Sequence, residues 1–373
     1  MRIEIVSIGH ELLLGLISNT NAAFLSRELS QRGYLVLRHT VVSDHKPEIR
    51  HALSEALQRA SCVIATGGLG PTLDDQTRSA AEELFLGESK ELPNGVGLAP
   101  GVFYPSEGRG LFLLPGVPRE MQPMFFHAVL PWIEQHAVPK KKFSQKCSLC
   151  LFKEVDIDPL LRTLQRDHPD IEIGIYPAQG TLQIIFRSDH PIEAVLQRFE
   201  EQFATYVFHE KTIEEAVHQQ LIQQKQTLGL AESCTGGALA ARLTALSDAS
   251  YYLQGSIIAY ANTWKEHFLH VPSQVLSEYG AVSREAIVAM LEGIFTETDV
   301  DFAIAISGVA GPKGGTVAHP VGTIYIGIGK RGERADIGLI HAPKDRLSAI
   351  DLAVQTALSA LWRRLVHDLP TFS

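Results

Sequence analysis

Cysteine is scarce in this chain, four residues in 373, and Cys62, Cys147, Cys150 and Cys234 are too few and too scattered for a disulfide framework. Long apolar runs are missing as well. The uncharged apolar stretches are strand-sized, well short of the roughly 20 residues that span a bilayer, which argues against a membrane partner. Positive charge is in deficit: 33 Lys and Arg stand against 42 Asp and Glu, a net charge of −9. Proteins that coat nucleic acid neutralise its phosphates with clustered Lys and Arg, so this balance argues against nucleic acid too. The 15 histidines include no HxxxH or HxH pair, the spacings that place two imidazoles on one metal. The opening residues 1–8 carry Glu4 within an apolar run and read as a strand rather than a signal peptide, so the expected location is cytoplasmic.

What is present is ordinary globular composition, 45% hydrophobic and 20% charged, in a chain long enough for two or three domains. Residues 1–140 alternate strand-like stretches (3–8, 35–42, 62–65, 110–114) with helical ones (19–32, 46–60, 76–85, 119 to about 135). Such alternation implies a parallel sheet covered on both faces, with ligands at the carboxyl ends of its strands. After the charged hinge Pro139-Lys140-Lys141-Lys142, residues 141–211 mix strand-like runs (146–152, 172–176, 181–188) with helix-like ones (159–167, 191–202), as a small α+β domain does. From 212 to 373 the α/β alternation resumes, opened by a capping box in which Thr212 precedes Glu215 by three residues.

The run Ala231-Glu232-Ser233-Cys234-Thr235-Gly236-Gly237 links an apolar segment to a helical one through a tight glycine turn. A serine there lies near helix N–H groups that lack an intrahelical partner. That place suits either a nucleophile whose attack creates an oxyanion or a plain phosphate-binding turn. Three further clusters occupy the same domain. Residues 255–265 read as a strand whose carboxyl end bears Tyr260, Asn262 and Lys265. Gly280-Ala281-Val282-Ser283 caps a helix, and 304–316 is a buried strand carrying Ser307 into a loop with Gly308, Gly311 and Gly315. Strand ends of a parallel sheet point the same way, so Ser233, Tyr260, Lys265 and Ser307 are placed to converge.

None of these motifs contains histidine. A desolvated Lys265 is the available base for Ser233, with Tyr260 relaying the proton or orienting the group. The residues alone leave two alternatives open: a pair of phosphate-cradling glycine turns with Lys265 as a solvated charge, and Cys234 as a thiol nucleophile. In the first domain, residues 67–75 set glycines, Thr72, Asp74 and Asp75 at a strand end, and Glu11 stands at another. These suit a divalent cation beside an anion or, for the two aspartates, the acidic first turn of a helix. Cys147 and Cys150 have redox spacing but, as a single pair within a strand-like stretch, read as core residues.

Taken together, these motifs resemble the CinA family of competence/damage-inducible proteins along nearly the whole chain. Residues 231–237, 260–265, 280–283, 308–315 and 320–323 are similar, in order, to that family's C-terminal domain, a nicotinamide mononucleotide deamidase. The resemblance implies an amidohydrolase that turns the nucleotide into nicotinic acid mononucleotide and ammonia without a cofactor. It implies Ser233 as nucleophile, Lys265 and Tyr260 as activating partners, and Thr235, Gly236, Asn262, Ser307, Gly308, Gly311 and Gly315 as substrate contacts. Residues 9–15, 19–21, 66–75 and 114–120 resemble a molybdopterin-binding (MoaB/MogA-like) domain, associated in this family with metal-dependent ADP-ribose pyrophosphatase activity. That implies a divalent metal at Glu11, Asp74 and Asp75. The stretch 86–92 is shorter than the family's, His10 stands where small polar or acidic residues are usual, and Gly95 and Leu98 replace a Pro and a Thr. The first domain therefore also reads as a non-catalytic pterin- or nucleotide-binding module. The whole is expected to be an α/β protein of two parallel-sheet domains, 1–140 and 212–373, joined by a small α+β KH-like domain, 141–211, and acting as a homodimer on a small-molecule nucleotide.

Overall fold

Strands buried at every position belong in the middle of a sheet covered on both faces, and two segments of the first 142 residues have that pattern. In the computed structural model Ile3–Ile8 (β1) and Cys62–Thr66 (β3) pair in parallel, flanked by Val36–Val42 (β2) on one side. Lys90–Leu92 (β4), Gly101–Ser106 (β5) and Arg109–Leu114 (β6) complete the order β2-β1-β3-β6-β5-β4. The four strands from β2 to β6 run parallel as expected, whereas β5 and β4 are antiparallel. β5 enters through a hairpin with β6 closed at Glu107-Gly108, whose first arm buries Val102, Phe103 and Tyr104, and β4 pairs with its other edge. The charge within β1, Glu4, is 2% exposed and is held at two points by Arg59, Nε to Oε1 and Nη2 to Oε2, both 3.0 Å.

The structure describes residues 1–72, 75–85, 87–139, 143–152, 154–178, 180–370 and 372, which form two compact units, 1–142 and 143–373. The second unit contains two sheets. Phe143–Cys150 (β7), Glu172–Ala178 (β8), Thr181–Ser188 (β9) and Val207–Phe208 (β10) form an antiparallel sheet in the order β10-β7-β9-β8, accompanied by helices Glu154–Asp167 and Glu193–Gln202. Leu228–Glu232 (β11), Leu253–Ile258 (β12), Phe302–Gly308 (β13), Thr323–Lys330 (β14) and Asp336–His341 (β15) form the other, in the order β12-β11-β13-β14-β15. Here β12, β11 and β13 are parallel and the last two strands antiparallel.

Helices Ile213–Gln224, Ala238–Thr244 and Arg346–His367 pack on one face of this last sheet, and Asn262–Leu269 and Arg284–Glu297 on the other. The Thr212 hydroxyl accepts from the Glu215 amide (3.3 Å) and caps the first of these helices, as the capping box requires. Within this unit the two sheets share a core: Cys150 and Phe208 are buried with the residues beneath helix Arg346–His367, and the Arg363 guanidinium lies 4.4 Å from the centroid of the Tyr206 ring. All four cysteines are buried and free, Cys147 and Cys150 in the core. Among the described residues no helix is long and apolar enough to cross a membrane.

Candidate active site

Pleating decides what faces what around β11. Leu228 and Leu230 enter the core beneath helix Arg346–His367, while Ala231 enters the opposite core against helix Arg284–Glu297. By the same alternation Glu232 turns toward helix Ala238–Thr244 and Ser233 toward helix Asn262–Leu269. Ser233 is 7% exposed; its amide donates to the Ile306 carbonyl of the neighbouring strand (3.0 Å), and its carbonyl accepts from Gly236 (3.1 Å). Gly236 and Gly237 finish the turn at φ of +61° and +96°. A Cβ at Gly237 would also stand 2.9 Å from Ile258 Cδ1, so glycine is needed there.

The sequence placed Lys265 at the end of a strand. In the structure β12 stops at Ile258, and Lys265 lies on the following helix, whose inward residues are Lys265 and Leu269. Lys265 is 1% exposed. Its Nζ lies 2.9 Å from Ser233 Oγ, donates to the Ala259 carbonyl at 2.8 Å and faces the Tyr260 carbonyl at 3.5 Å. Burial, with no carboxylate partner among the described residues, lowers its pKa from the usual lysine range to about 8, opposed only by the Cys234 thiol. A neutral amine has two N–H groups and one lone pair. The two carbonyls account for the N–H groups, and the lone pair is left for the Ser233 hydroxyl proton. That is the geometry of a nucleophile with its base. Cys234 also borders the site, but burial pushes its thiol up to about 12, which leaves it protonated and a weak rival.

Ser233, Lys265, Tyr260, Asn262 and Ser307 line one cavity of about 250 Å³, closed by the loop from Gly308 through Gly311 to Gly314 and by Arg346. Convergence of the parallel strand ends thus brings seven of the expected site residues together. Ser307 is tied down by donation from its hydroxyl to the Ala281 carbonyl (2.7 Å), which fixes the 280–283 turn against the cavity. Three expected contacts lie elsewhere: Thr235 is buried without a partner for its hydroxyl among the described residues, Gly236 is exposed, and Gly315 packs against Val321. Tyr260 is 60% exposed, and its hydroxyl accepts from Arg346 Nη2 (2.8 Å), whose Nη1 donates to the Gly311 carbonyl (3.0 Å). The phenol makes no hydrogen bond to Ser233 or Lys265, so the relay read from the sequence has no path here.

Arg346 and Lys313, both bordering the cavity, were missed in the sequence. Arg346 did leave a trace: it is a cation in the first turn of a helix, against the helix dipole, directly after the cap Asp345, whose carboxylate accepts from Ser348 (2.8 Å). The amides of Ala310, Gly311, Lys313 and Gly314 donate to no other group among the described residues, so this loop keeps open N–H groups beside the two cations. The start of helix Ala238–Thr244, which follows Ser233, offers no such opening. The Glu232 carboxylate accepts from the amides of Gly237 (3.0 Å), Leu239 (3.1 Å) and Ala240 (3.0 Å), filling the helix N-terminus that the phosphate-turn alternative needs. The helix start after Ser233 is therefore closed to a phosphate and Lys265 is buried rather than solvated, while the 310–314 loop remains open to an anion.

The first unit presents a different picture. The Thr77 hydroxyl and the Asn21 side-chain amide donate to the carbonyls of Gly67 and Gly116 (2.8 and 2.7 Å), and the Gly67 amide donates to the Leu114 carbonyl (3.0 Å), joining the ends of β3 and β6. Asp75 accepts from both the amide and the hydroxyl of Thr72, and the Glu11 carboxylate folds back over Gly9. Asp74 lies outside the described residues. Among the described residues no three His, Cys, Asp or Glu side chains converge.

A family model described as "CinA C-terminal domain" matches residues 210–365, and one described as "Probable molybdopterin binding domain" matches residues 4–135. A CinA-like protein from Dictyoglomus turgidum is 35% identical, covering 89% of this chain and 92% of its own length. A CinA-like protein from Kosmotoga olearia is 34% identical, covering 98% and 99%. That second alignment runs over 413 positions, more than the 373 residues here, so this relative carries residues that the present chain lacks. A solved structure of a competence-damaged protein (CinA) superfamily protein from Klebsiella pneumoniae is 34% identical, covering 42% of this chain and 96% of that one, with a TM-score of 0.40.

Proposed function

The chain belongs to the CinA family, and from that premise we propose that residues 212–373 deamidate nicotinamide mononucleotide, with Ser233 as the nucleophile. The observation that carries this reading is the 2.9 Å contact between Ser233 Oγ and a fully buried lysine whose pKa lies near 8. Lys265 takes the serine proton as Oγ bonds to the carboxamide carbon, and the carbonyl electron pair moves onto oxygen. Lys265 then returns the proton to nitrogen, the C–N bond breaks, and ammonia departs from a Ser233 ester. Water, deprotonated by the same amine, hydrolyses the ester and restores the serine. Open amides of the 310–314 loop suit the oxyanion or the nucleotide phosphate, and Arg346 and Lys313 supply charge for the phosphate. Tyr260, held by Arg346 at the cavity edge, offers an aromatic face to the pyridinium ring.

Ammonia release from nicotinamide mononucleotide tests the proposal. Ser233→Ala should lower it by about 10³-fold or more, while Cys234→Ala should stay within about threefold of the parent. Retention of most activity by Ser233→Ala would remove the serine mechanism, and a large loss in Cys234→Ala would favour the thiol. A parent enzyme that releases ammonia only from some other phosphorylated amide would retain the mechanism and discard the substrate.

A further inference from the structure

We infer that Glu232 is a positioning residue for Ser233, a carboxylate built into the start of helix Ala238–Thr244. It is 0% exposed, and no cation pairs with it among the described residues. A buried charge without compensation is strongly disfavoured, so its hydrogen bonds have to balance it. Oε2 accepts from the amides of Gly237 (3.0 Å) and Leu239 (3.1 Å), and Oε1 accepts from the amide of Ala240 (3.0 Å) and the hydroxyl of Ser256 (3.1 Å). A carboxylate presents about four lone-pair directions, and all are filled. The helix dipole adds to the same balance.

This saturated anchor is the residue immediately before Ser233, and one of its donors, Gly237, ends the turn that Ser233 begins. Both ends of the five-residue turn 233–237 are thereby referred to a single side chain. Glu232 cannot shift without leaving three helix amides and its own charge unpaired, so the Ser233 Oγ stays 2.9 Å from Lys265 Nζ. The anchor also orients the ligand. With these amides already taken, the substrate's phosphate goes to the Arg346 and Lys313 side of the cavity, and its amide is the end left to meet Ser233.

The inference rests on the reading of Ser233 as nucleophile, and its test separates the two. The full-length parent, Glu232→Gln and Glu232→Ala are labelled with a fluorophosphonate, the modified residue is located by peptide mass spectrometry, and thermal unfolding is followed in parallel. Ser233 of the parent should label, and Glu232→Ala should label about a hundredfold more slowly, the scale of loss expected for a nucleophile displaced by about 1 Å. Formate, a carboxylate small enough for the vacated helix terminus, should restore at least about tenfold of that rate in Glu232→Ala and leave the parent unchanged. Glu232→Gln should be slow and unresponsive, because its amide fills the space but sets an NH2 group against helix donors. For deamidation the losses should fall on kcat with KM nearly constant. A folded Glu232→Gln that labels at the parental rate overturns the inference, as does a folded Glu232→Ala that ignores formate. If neither variant folds, Glu232 is structural alone and the inference is likewise overturned. Absence of label on parental Ser233 instead overturns the nucleophile reading, and the inference with it.

Discussion

A lysine removed from water favours its neutral form, and Lys265 is removed almost completely. The pKa near 8 gives the proposed base a pH signature. Below it the amine is protonated and idle, so kcat/KM should climb about tenfold per pH unit up to pH 8 and level off above. A flat profile between pH 6 and 9 would remove Lys265 as the base. The same shift acts on stability. Between the folded pKa near 8 and the ordinary lysine value of 10.5, only the unfolded chain holds the proton, so the parent gains stability as pH rises through that window. Lys265→Met, inactive by this mechanism, should therefore unfold at a higher temperature than the parent at pH 7, and the gap should narrow toward pH 10. Ser233 and Lys265 were legible as partners because each stands at the end of a parallel strand or just beyond it. Glu232 was not: nothing in its type shows that the helix after it would close on its carboxylate. The Tyr260–Arg346 bond, between residues 86 positions apart, is equally silent in the sequence.

At the scale of elements, the position of Lys265 depends on how closely two helices approach. A Cβ placed on Gly293, within helix Arg284–Glu297, would stand 2.1 Å from the carbonyl oxygen of Leu269, the last residue of the helix that carries Lys265. Backbone cannot yield as a side chain does. Gly293→Ala should destabilise the protein by about 1–3 kcal/mol in chemical denaturation and lower kcat at least about tenfold by drawing Lys265 away from Ser233. Parental values for both would show that this approach has slack. The βα alternation was legible from apolar runs and glycine turns. The strand-to-helix change after Ile258 was hidden, because Ala259 and Tyr260 continue an apolar run that reads equally well as strand. The antiparallel margins of both parallel sheets were partly hidden too, since β5 begins in a glycine- and proline-rich stretch that reads as an interruption.

On the scale of the whole molecule, the expected division at 211/212 falls where two sheets share a core. Phe208 and Cys150 are buried with helix Arg346–His367, Phe208 lies against Trp362 at 6.1 Å between ring centroids, and Arg363 rests on Tyr206. A fragment of residues 212–373 should therefore melt about 5–10 °C below one of residues 143–373, as expected from losing the burial of one large aromatic and its neighbours. Its kcat should be unchanged, because every residue bordering the cavity lies beyond 212. Equal melting temperatures by circular dichroism would mean that the shared core adds little. Composition and motif order made the succession of folds legible, while the shared core depended on contacts between residues far apart in the chain.

The burial of Lys265 has one more effect, on what leaves the site. The proposed deamidation exchanges a neutral carboxamide for a carboxylate at the point where the lysine stands. On that proposal the product should be retained below pH 8, where it meets a buried ammonium ion, and released above pH 8, where it meets a neutral amine. On the same proposal, the pH at which the base becomes competent is also the pH at which the product should cease to be held.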